Sequence, residues 1–359
     1  MNAPLTPELV MEALRTVLLP GTSIDVVTLK LIGEIRVSGG QITVSVVKTS
    51  EKDETIAAVR EVVAAKVGGL PGVLSVEVPV DDRSAPQQAP RGPHGQSPDP
   101  FADRRKLPGV KRVVAVASAK GGVGKSSVAV NLALALRDRG HAVGILDADV
   151  YGPSVPTMLA LKNGPEVTED KRILPVREHG LQIISMGLLM DPDQPVIWRG
   201  PLVFSAIKQF LKDVQWDGLD YMIVDMPPGT GDAQLTLVQQ VPLSGVVMVT
   251  TPQEVALADV RRGIRMFREV DVPVLGVVEN MSYFQCPDTD RKYDIFGQGG
   301  GGRVAAEYGL PLLGEIPIDP AIREGGDTGK PAVEIADSPA REAFLKLADQ
   351  VHELAVDPV

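Results

Sequence analysis

Residues 117–127, ASAKGGVGKSS, place three glycines and two lysines ahead of a pair of serines. Chain without Cβ atoms at Gly121, Gly122 and Gly124 can curl its N–H groups around phosphate oxygens. A helix starting there adds the positive end of its dipole. Lys125 is then placed to reach the β- and γ-phosphates of a nucleotide, and the Ser126 hydroxyl to ligate Mg²⁺. The stretch Ala119, Lys120, Gly121, Gly122, Val123, Gly124, Lys125, Ser126 and Ser127 fits the phosphate-binding pattern, except that Ala119 stands at the first glycine position. The bland alternative is a glycine-rich strand-to-helix turn that binds nothing. The apolar run before the loop and the helical pattern after it favour the phosphate site. Lys120 is an additional cation inside the loop, whose bland reading is a solvated lysine.

Three acids follow apolar runs. ILDADVYGPS carries Asp147 and Asp149, and YMIVDMPPGTGD carries Asp225. A carboxylate at a strand's end can hold Mg²⁺, often through water, and can orient an attacking water. Turn or cap roles remain open for Asp147 and Asp149. Pro227-Pro228-Gly229 restricts the chain where a γ-phosphate would be sensed. The chain's one cysteine, Cys286, lies in ENMSYFQCPDTDRKYDIFGQGGG. It reads as half of a Cys-x-x-Cys metal pair whose second position is Thr289, or as a loop thiol without a ligand role.

These groups need elements to position them. RVVAVAS, AVGILDAD, LQIISM, LDYMIVDMPP, GVVMVTTP, VPVLGVVEN and PLLGEIP are apolar strand candidates alternating with helical stretches such as SSVAVNLALALRDRG. Continuous apolar runs separated by helices predict an α/β fold with a mostly parallel sheet covered by helices on both faces. Ligands then sit at the carboxyl ends of the strands, where each motif lies. This region spans 109–359. Residues 81–108 are rich in Pro, Gln, Asp and Arg and read as a flexible linker. Residues 1–80 read as a small α+β domain. There, PELVMEALRTVL carries an apolar helical face of Leu9, Val10, Ala13, Leu14, Val17 and Leu18. EIRVSGGQITVSVV forms a hairpin, ETIAAVREVVAAKV a second helix, and VLSVEVPV a strand.

The net charge of −10 over 359 residues argues against broad nucleic-acid binding, which requires clustered Lys and Arg. One cysteine excludes an intramolecular disulfide framework and suits a reducing, cytoplasmic setting. No apolar run approaches the roughly 20 residues of a membrane helix, so no membrane partner is expected. The four histidines lack ligand spacing, and zinc is not expected.

Taken together, AKGGVGKSSVAVNLALAL, DADVYGPSVPTML, VIWRGP, DYMIVDMPPGTGDAQLTL, ENMSYFQCP with IFGQGGG, and GEIPIDP resemble the Mrp-type iron–sulfur cluster carrier ATPases, within the MinD/ParA-like deviant P-loop NTPases. The resemblance covers roughly residues 110–335, and residues 1–80 resemble the iron–sulfur-assembly domain fused ahead of that family. It implies a slow, homodimeric ATPase using ATP and Mg²⁺ and passing iron–sulfur clusters to apoproteins. It also implies that Lys125 and Ser126 bind phosphate and Mg²⁺, and that Lys120 acts on the partner's nucleotide. Asp149 would lie near the attacking water and Asp225 would be the acid beside the metal, while Asp147 is read as a further Mg²⁺ group only from its place at a strand's end. Asn280 would face adenine, with backbone from Pro317 to Asp319 closing the pocket. In the family a Cys-Pro-x-Cys pair from each subunit bridges one cluster; here the matching residues are Cys286, Pro287, Asp288 and Thr289. KTSEKDETI likewise lacks the cysteine often found ahead of the second helix of the small domain. Two alternatives therefore stand beside the carrier: a nucleotide-switched docking protein without a cluster, and a ParA/MinD-like positioning ATPase.

Overall fold

The computed structural model describes residues 5–17, 25–27, 31–38, 40–48, 53–82, 104–149, 152–188, 200–289 and 291–358. The chain divides into two compact units, Met1–Ser97 and Pro98–Val359.

In the smaller unit, α1 (Pro7–Leu14) and α2 (Asp53–Gly68) pack against a sheet of β1 (Ile32–Ser38), β2 (Gln41–Lys48), β3 (Ser75–Glu77) and β4 (Val80–Asp82). β1 and β2 form the expected antiparallel hairpin, with Ser38 opposite Gln41. Alternation puts Ile42, Val44 and Val46 of β2 inward, where they are buried with Val10 and Leu14 of α1. The expected strand 73–80 is instead two short ones, each parallel to β2. Pro79 lies between them and cannot donate to a ladder. α1 also ends earlier than the apolar pattern, with Val17 buried in the turn beyond it and Leu18 outside the described residues.

The larger unit runs β5 (Val110–Ala117), α3 (Lys125–Asp138), β6 (Val143–Asp147), α4 (Val155–Met158), then the short strands β7 (Glu166–Val167), β8 (Ile173–Leu174) and β9 (Val176–Glu178). β10 (Leu181–Ser185), α5 (Gly200–Asp213), β11 (Leu219–Asp225), α6 (Asp232–Gln240), β12 (Gly245–Thr250), α7 (Glu254–Glu269) and β13 (Val274–Glu279) follow. A two-stranded hairpin, β14 (Phe284–Gln285) and β15 (Lys292–Tyr293), precedes α8 (Gly300–Glu307), β16 (Leu312–Glu315), α9 (Pro320–Thr328) and α10 (Pro339–Leu354).

Eight strands make the main sheet, in the order β16-β13-β12-β5-β11-β6-β10-β9. All neighbours are parallel except the edge strand β9, which is antiparallel to β10. Period-two alternation splits β5 between two cores. Val114 and Val116 face α3 and α10, where Leu132, Phe344 and Leu347 are buried. Val113, Ala115 and Ala117 face the side of Phe210 from α5, Leu237 from α6 and Ile264 from α7. Both faces are thus dry, which is why these strands read as unbroken apolar runs. β5 sits between β11 and β12, so the chain order reverses there, and the crevice beyond its carboxyl end is where such sheets bind ligands. Among the described residues no helix is long and apolar enough to cross a membrane.

Candidate functional site

The loop after β5 carries the predicted phosphate residues. Gly122 (φ +82°) and Gly124 (φ +81°) hold the left-handed conformation that glycine tolerates best. A Cβ on Gly121 or Gly122 would meet nothing within 4 Å, so their backbone borders open space. A Cβ on Gly124 would collide with the Asn280 amide at 2.2 Å. α3 begins at Lys125 with Gly124 as its cap and no side chain accepting its first N–H groups. Those donors are left for a ligand.

Lys125 is buried, with its ammonium 2.5 Å from Asp225 Oδ1, 3.4 Å from Asp149 Oδ2 and 3.2 Å from Ser126 Oγ. The parallel register sets Asp225 of β11 level with Asp147 of β6, so the two chain-distant acids meet beside the loop. Asp225 Oδ2 and Asp149 Oδ1 are buried without a hydrogen-bond partner. Burial pushes the Asp225 carboxyl up, against the pull of Lys125. Asp147, expected beside the Mg²⁺ together with Asp225, is buried next to that acid with a partner on each oxygen. Its Oδ1 accepts from the Asp149 N–H (3.1 Å) and its Oδ2 from the Ser185 hydroxyl (2.8 Å), so both oxygens are engaged. Burial, then repulsion from Asp225, push Asp147 up to about 7. Asp147 thereby holds the Asp149 backbone in place, while Asp225 and Ser126 face Lys125 beside the loop.

Two cavities share Gly124, Ser127, Ser154 and Met158. The smaller, about 270 Å³, is bounded by Gly121, Gly122, Lys125, Ser126, Asp149 and Pro228. The larger, about 670 Å³, is bounded by Asn280, Met281, Phe296, Pro317, Ile318 and Asp319. The cleft at the glycine loop thus opens into a wider, more apolar one. Asn280 Nδ2 donates to Val123 O (2.9 Å), which fixes the amide and leaves its oxygen available. Asp319 contributes backbone here, because its carboxylate caps α9 through Ala321 N–H (2.9 Å) and accepts from the Ser338 hydroxyl (2.7 Å). Ser154 and Met158 were not singled out from sequence; their signal lay in the PSVPTM stretch, whose Pro-rich start sets the short α4 against the loop. Lys120 is exposed, with no ion pair among the described residues.

Cys286 lies in the β14–β15 hairpin, half-buried, its N–H donating to Arg291 O (3.0 Å). Thr289 turns back onto Cys286 O (3.3 Å) and is exposed, as is Asp288. Asp290, Val150, Tyr151 and residues 196–199 of VIWRGP lie outside the described residues. The hairpin is bound to the larger cavity's edge, since Ile318 N–H donates to Tyr283 O (2.7 Å) and Ser282 N–H to Ile316 O (2.9 Å). The glycines of IFGQGGG have a structural task. Gly301 N–H donates to buried Glu279 Oε2, and a Cβ there would press on the Glu279 side chain at 2.9 Å. Among the described residues no three His, Cys, Asp or Glu gather as a metal site within one chain.

The family model described as NUBPL iron-transfer P-loop NTPase matches residues 109–352. This chain belongs to that family. An iron–sulfur cluster assembly protein domain matches residues 7–80. Over 97% of this NUBPL-family chain and 97% of the other, it is 47% identical to a Synechocystis protein named iron–sulfur cluster carrier protein. Among solved structures it is similar to a nucleotide-binding protein from Archaeoglobus fulgidus in complex with ADP, with TM-score 0.57 and 38% identity over 66% of this chain and 92% of that one. It is also similar to the cell division ATPase MinD of Pyrococcus furiosus, with TM-score 0.51 and 27% identity over 68% of this chain and 100% of that one. The P-loop NTPase fold expected from the motifs is thus the fold of the larger unit.

Proposed function

We propose that the chain binds ATP with Mg²⁺, hydrolyses it slowly and, as a homodimer, carries iron–sulfur clusters to apoproteins. One observation carries the nucleotide reading: Asp149 Oδ1 and Asp225 Oδ2 are buried and unpartnered beside a glycine backbone that borders open space. Unpaired buried carboxylate oxygens are costly, and hard oxygen donors suit Mg²⁺. Ser126 and Asp225 would hold the ion, Asp225 through water. When bound, it neutralises charge on the β- and γ-oxygens. Lys125 pairs with Asp225 and would exchange that partner for the phosphates. Asp149, fixed through its N–H by Asp147, is the group positioned to orient the attacking water. Lys120, exposed, serves the partner protomer's nucleotide. Asn280 and the Pro317–Asp319 backbone hold the base.

The carrier reading is supported by the family and by the carrier name of the relative with full-length coverage. Exposed Tyr293, Ile295 and Phe296 follow Cys286 along the chain, as an interface between protomers would need. One thiol per protomer gives a dimer two thiolates, fewer than the four that [4Fe–4S] clusters normally take. Small thiols or a client's cysteines complete the coordination, so the cargo is loosely held and readily passed on. Thr289 favours one second reading, a nucleotide-switched docking protein that carries no cluster.

Two measurements test this. Lys125→Ala should abolish ATP binding, with Ser126→Ala, which leaves the Lys125–Asp225 pair intact, losing the Mg²⁺ dependence. Unchanged affinity in both would refute the site. Anaerobic reconstitution of wild type, Thr289→Cys and Cys286→Ala, followed by desalting and iron and sulfide determination, tests the cargo. Retention should rise in Thr289→Cys and fall in Cys286→Ala. Equal retention in all three would remove Cys286 from the cluster, and no retention in any would favour the docking reading.

A further inference from the structure

Residues 104–112, RRKLPGVKR, bring five basic side chains to the start of the larger unit's first strand. Three are accounted for within the fold. Lys111 pairs with Asp220 at 2.7 Å, and Arg112 bonds Asp357 (2.7 Å) and the Tyr221 hydroxyl (2.6 Å). Arg104 donates to the carbonyls of Val238 (2.9 Å) and Val270 (3.2 Å), at the ends of α6 and α7. Arg105 and Lys106 are not accounted for in this way. Both are exposed, on the rim of a groove of about 570 Å³. Lys208 and Lys212, exposed and one helical turn apart on α5, bring a second pair of cations to the same groove. No carboxylate among the described residues pairs with any of these four cations. The floor is apolar: Leu107, Leu211 and Val241 are buried there.

Four like charges around one groove repel one another, and in a chain of net charge −10 acids to neutralise them were plentiful. We propose that this groove docks an acidic, partly apolar peptide segment of a partner protein. Carboxylates would pair with these cations and an apolar side chain would fill the floor, as in other peptide grooves that read acidic motifs with basic clusters. The concave shape distinguishes it from a bilayer-binding face, which inserts protruding apolar groups, and none of the exposed large apolar side chains among the described residues lines it. No described residue of its lining is aromatic, which distinguishes it from a single-stranded nucleic-acid channel. Its location allows docking during nucleotide turnover. The groove lies at Leu107–Pro108, ahead of the amino end of β5, whereas the phosphate loop follows the carboxyl end. Eight residues of strand separate the two by about 26 Å. The proposal does not depend on the identity of the cargo or on ATP hydrolysis.

The test uses the full chain and a short fluorescein-labelled peptide of interspersed Glu, Asp and Leu, read by anisotropy at roughly physiological ionic strength. Lys208→Glu/Lys212→Glu changes one exposed pair of cations, and Arg105→Glu/Lys106→Glu the other. Each double variant should bind the peptide at least about tenfold more weakly than wild type, a change of about 1.4 kcal/mol or more. ATP affinity and melting should be unchanged. The same peptide with Gln and Asn for its acids should bind wild type as weakly as the variants bind the original. Wild-type binding absent at millimolar peptide, or equal binding by wild type and both variants, would overturn the proposal. So would displacement of the peptide by phosphatidylserine vesicles or a single-stranded oligonucleotide at lower concentration than unlabelled peptide, which would reassign the groove to a membrane or nucleic acid.

Discussion

Asp147→Asn should make the larger unit more stable at alkaline pH while leaving it little changed in acid. Asp147 is fully buried on β6, and its carboxyl is raised from 3.8 to about 7 by burial and by Asp225. An acid raised in the folded state binds a proton that the unfolded chain has released. Its contribution to stability is therefore complete below the unfolded value and is lost as pH rises through the folded one. Each pH unit in that window is worth about 1.4 kcal/mol, so passing from about pH 5 to about pH 7 should remove on the order of 2–3 kcal/mol. Asparagine has no such proton to lose. Its amide oxygen can still accept from the Asp149 N–H, and its NH₂ can face the Ser185 oxygen, which already accepts from Gly187 N–H at 3.1 Å. The assay is urea unfolding at about pH 5 and about pH 8, without nucleotide and with a chelator. Tryptophan fluorescence reports on the larger unit alone, because both tryptophans, Trp198 and Trp216, belong to it. The stability difference between variant and wild type should grow by about 2–3 kcal/mol across that range. A difference that stays constant with pH would refute the reasoning, since the Asp147 proton would then play no part.

Lys125→Ala strips the buried Asp225 of its cation, and breaking such a pair costs about 3–5 kcal/mol, so thermal unfolding should show a clear loss at neutral pH that shrinks in acid as Asp225 protonates. Lys120→Ala should leave ATP affinity nearly intact and slow hydrolysis, because a charge acting on the transferring phosphate matters most in the transition state. Mixing Lys120→Ala with Asp149→Ala should restore part of the activity if the lysine acts across the dimer, and mixtures as inactive as their components would rule that out. Gly124→Ala would place a Cβ against the Asn280 amide at a φ of +81°. Its strain of about 1–3 kcal/mol should appear in the melting curve, and ATP titration should show weaker binding.

The fold class and the phosphate loop were legible in the residues alone, because both are local signals. Short unbroken apolar runs such as RVVAVAS and GVVMVTTP, rich in β-branched Val and flanked by turn residues, read as strands dry on both faces, and GGVGKS combines glycine freedom with a helix start within six residues. Even Asp147, Asp149 and Asp225 were visible as acids closing apolar strands. Their division of labour was not. Only the parallel register of β6 against β11 sets Asp147 level with Asp225, and only β10 beside β6 supplies Ser185 to occupy Asp147, leaving Asp149 and Asp225 each with an unpartnered oxygen. The same holds for His141 and His352, scattered in sequence yet stacked with centroids 4.7 Å apart because α10 packs back along α3. It holds too for the basic groove, whose two pairs of cations come from segments about a hundred residues apart. Spacing along the chain reports which residues share one strand or turn. Which charges end up buried together, and which are left without a partner, is decided by long-range strand pairing and helix packing that no single stretch encodes.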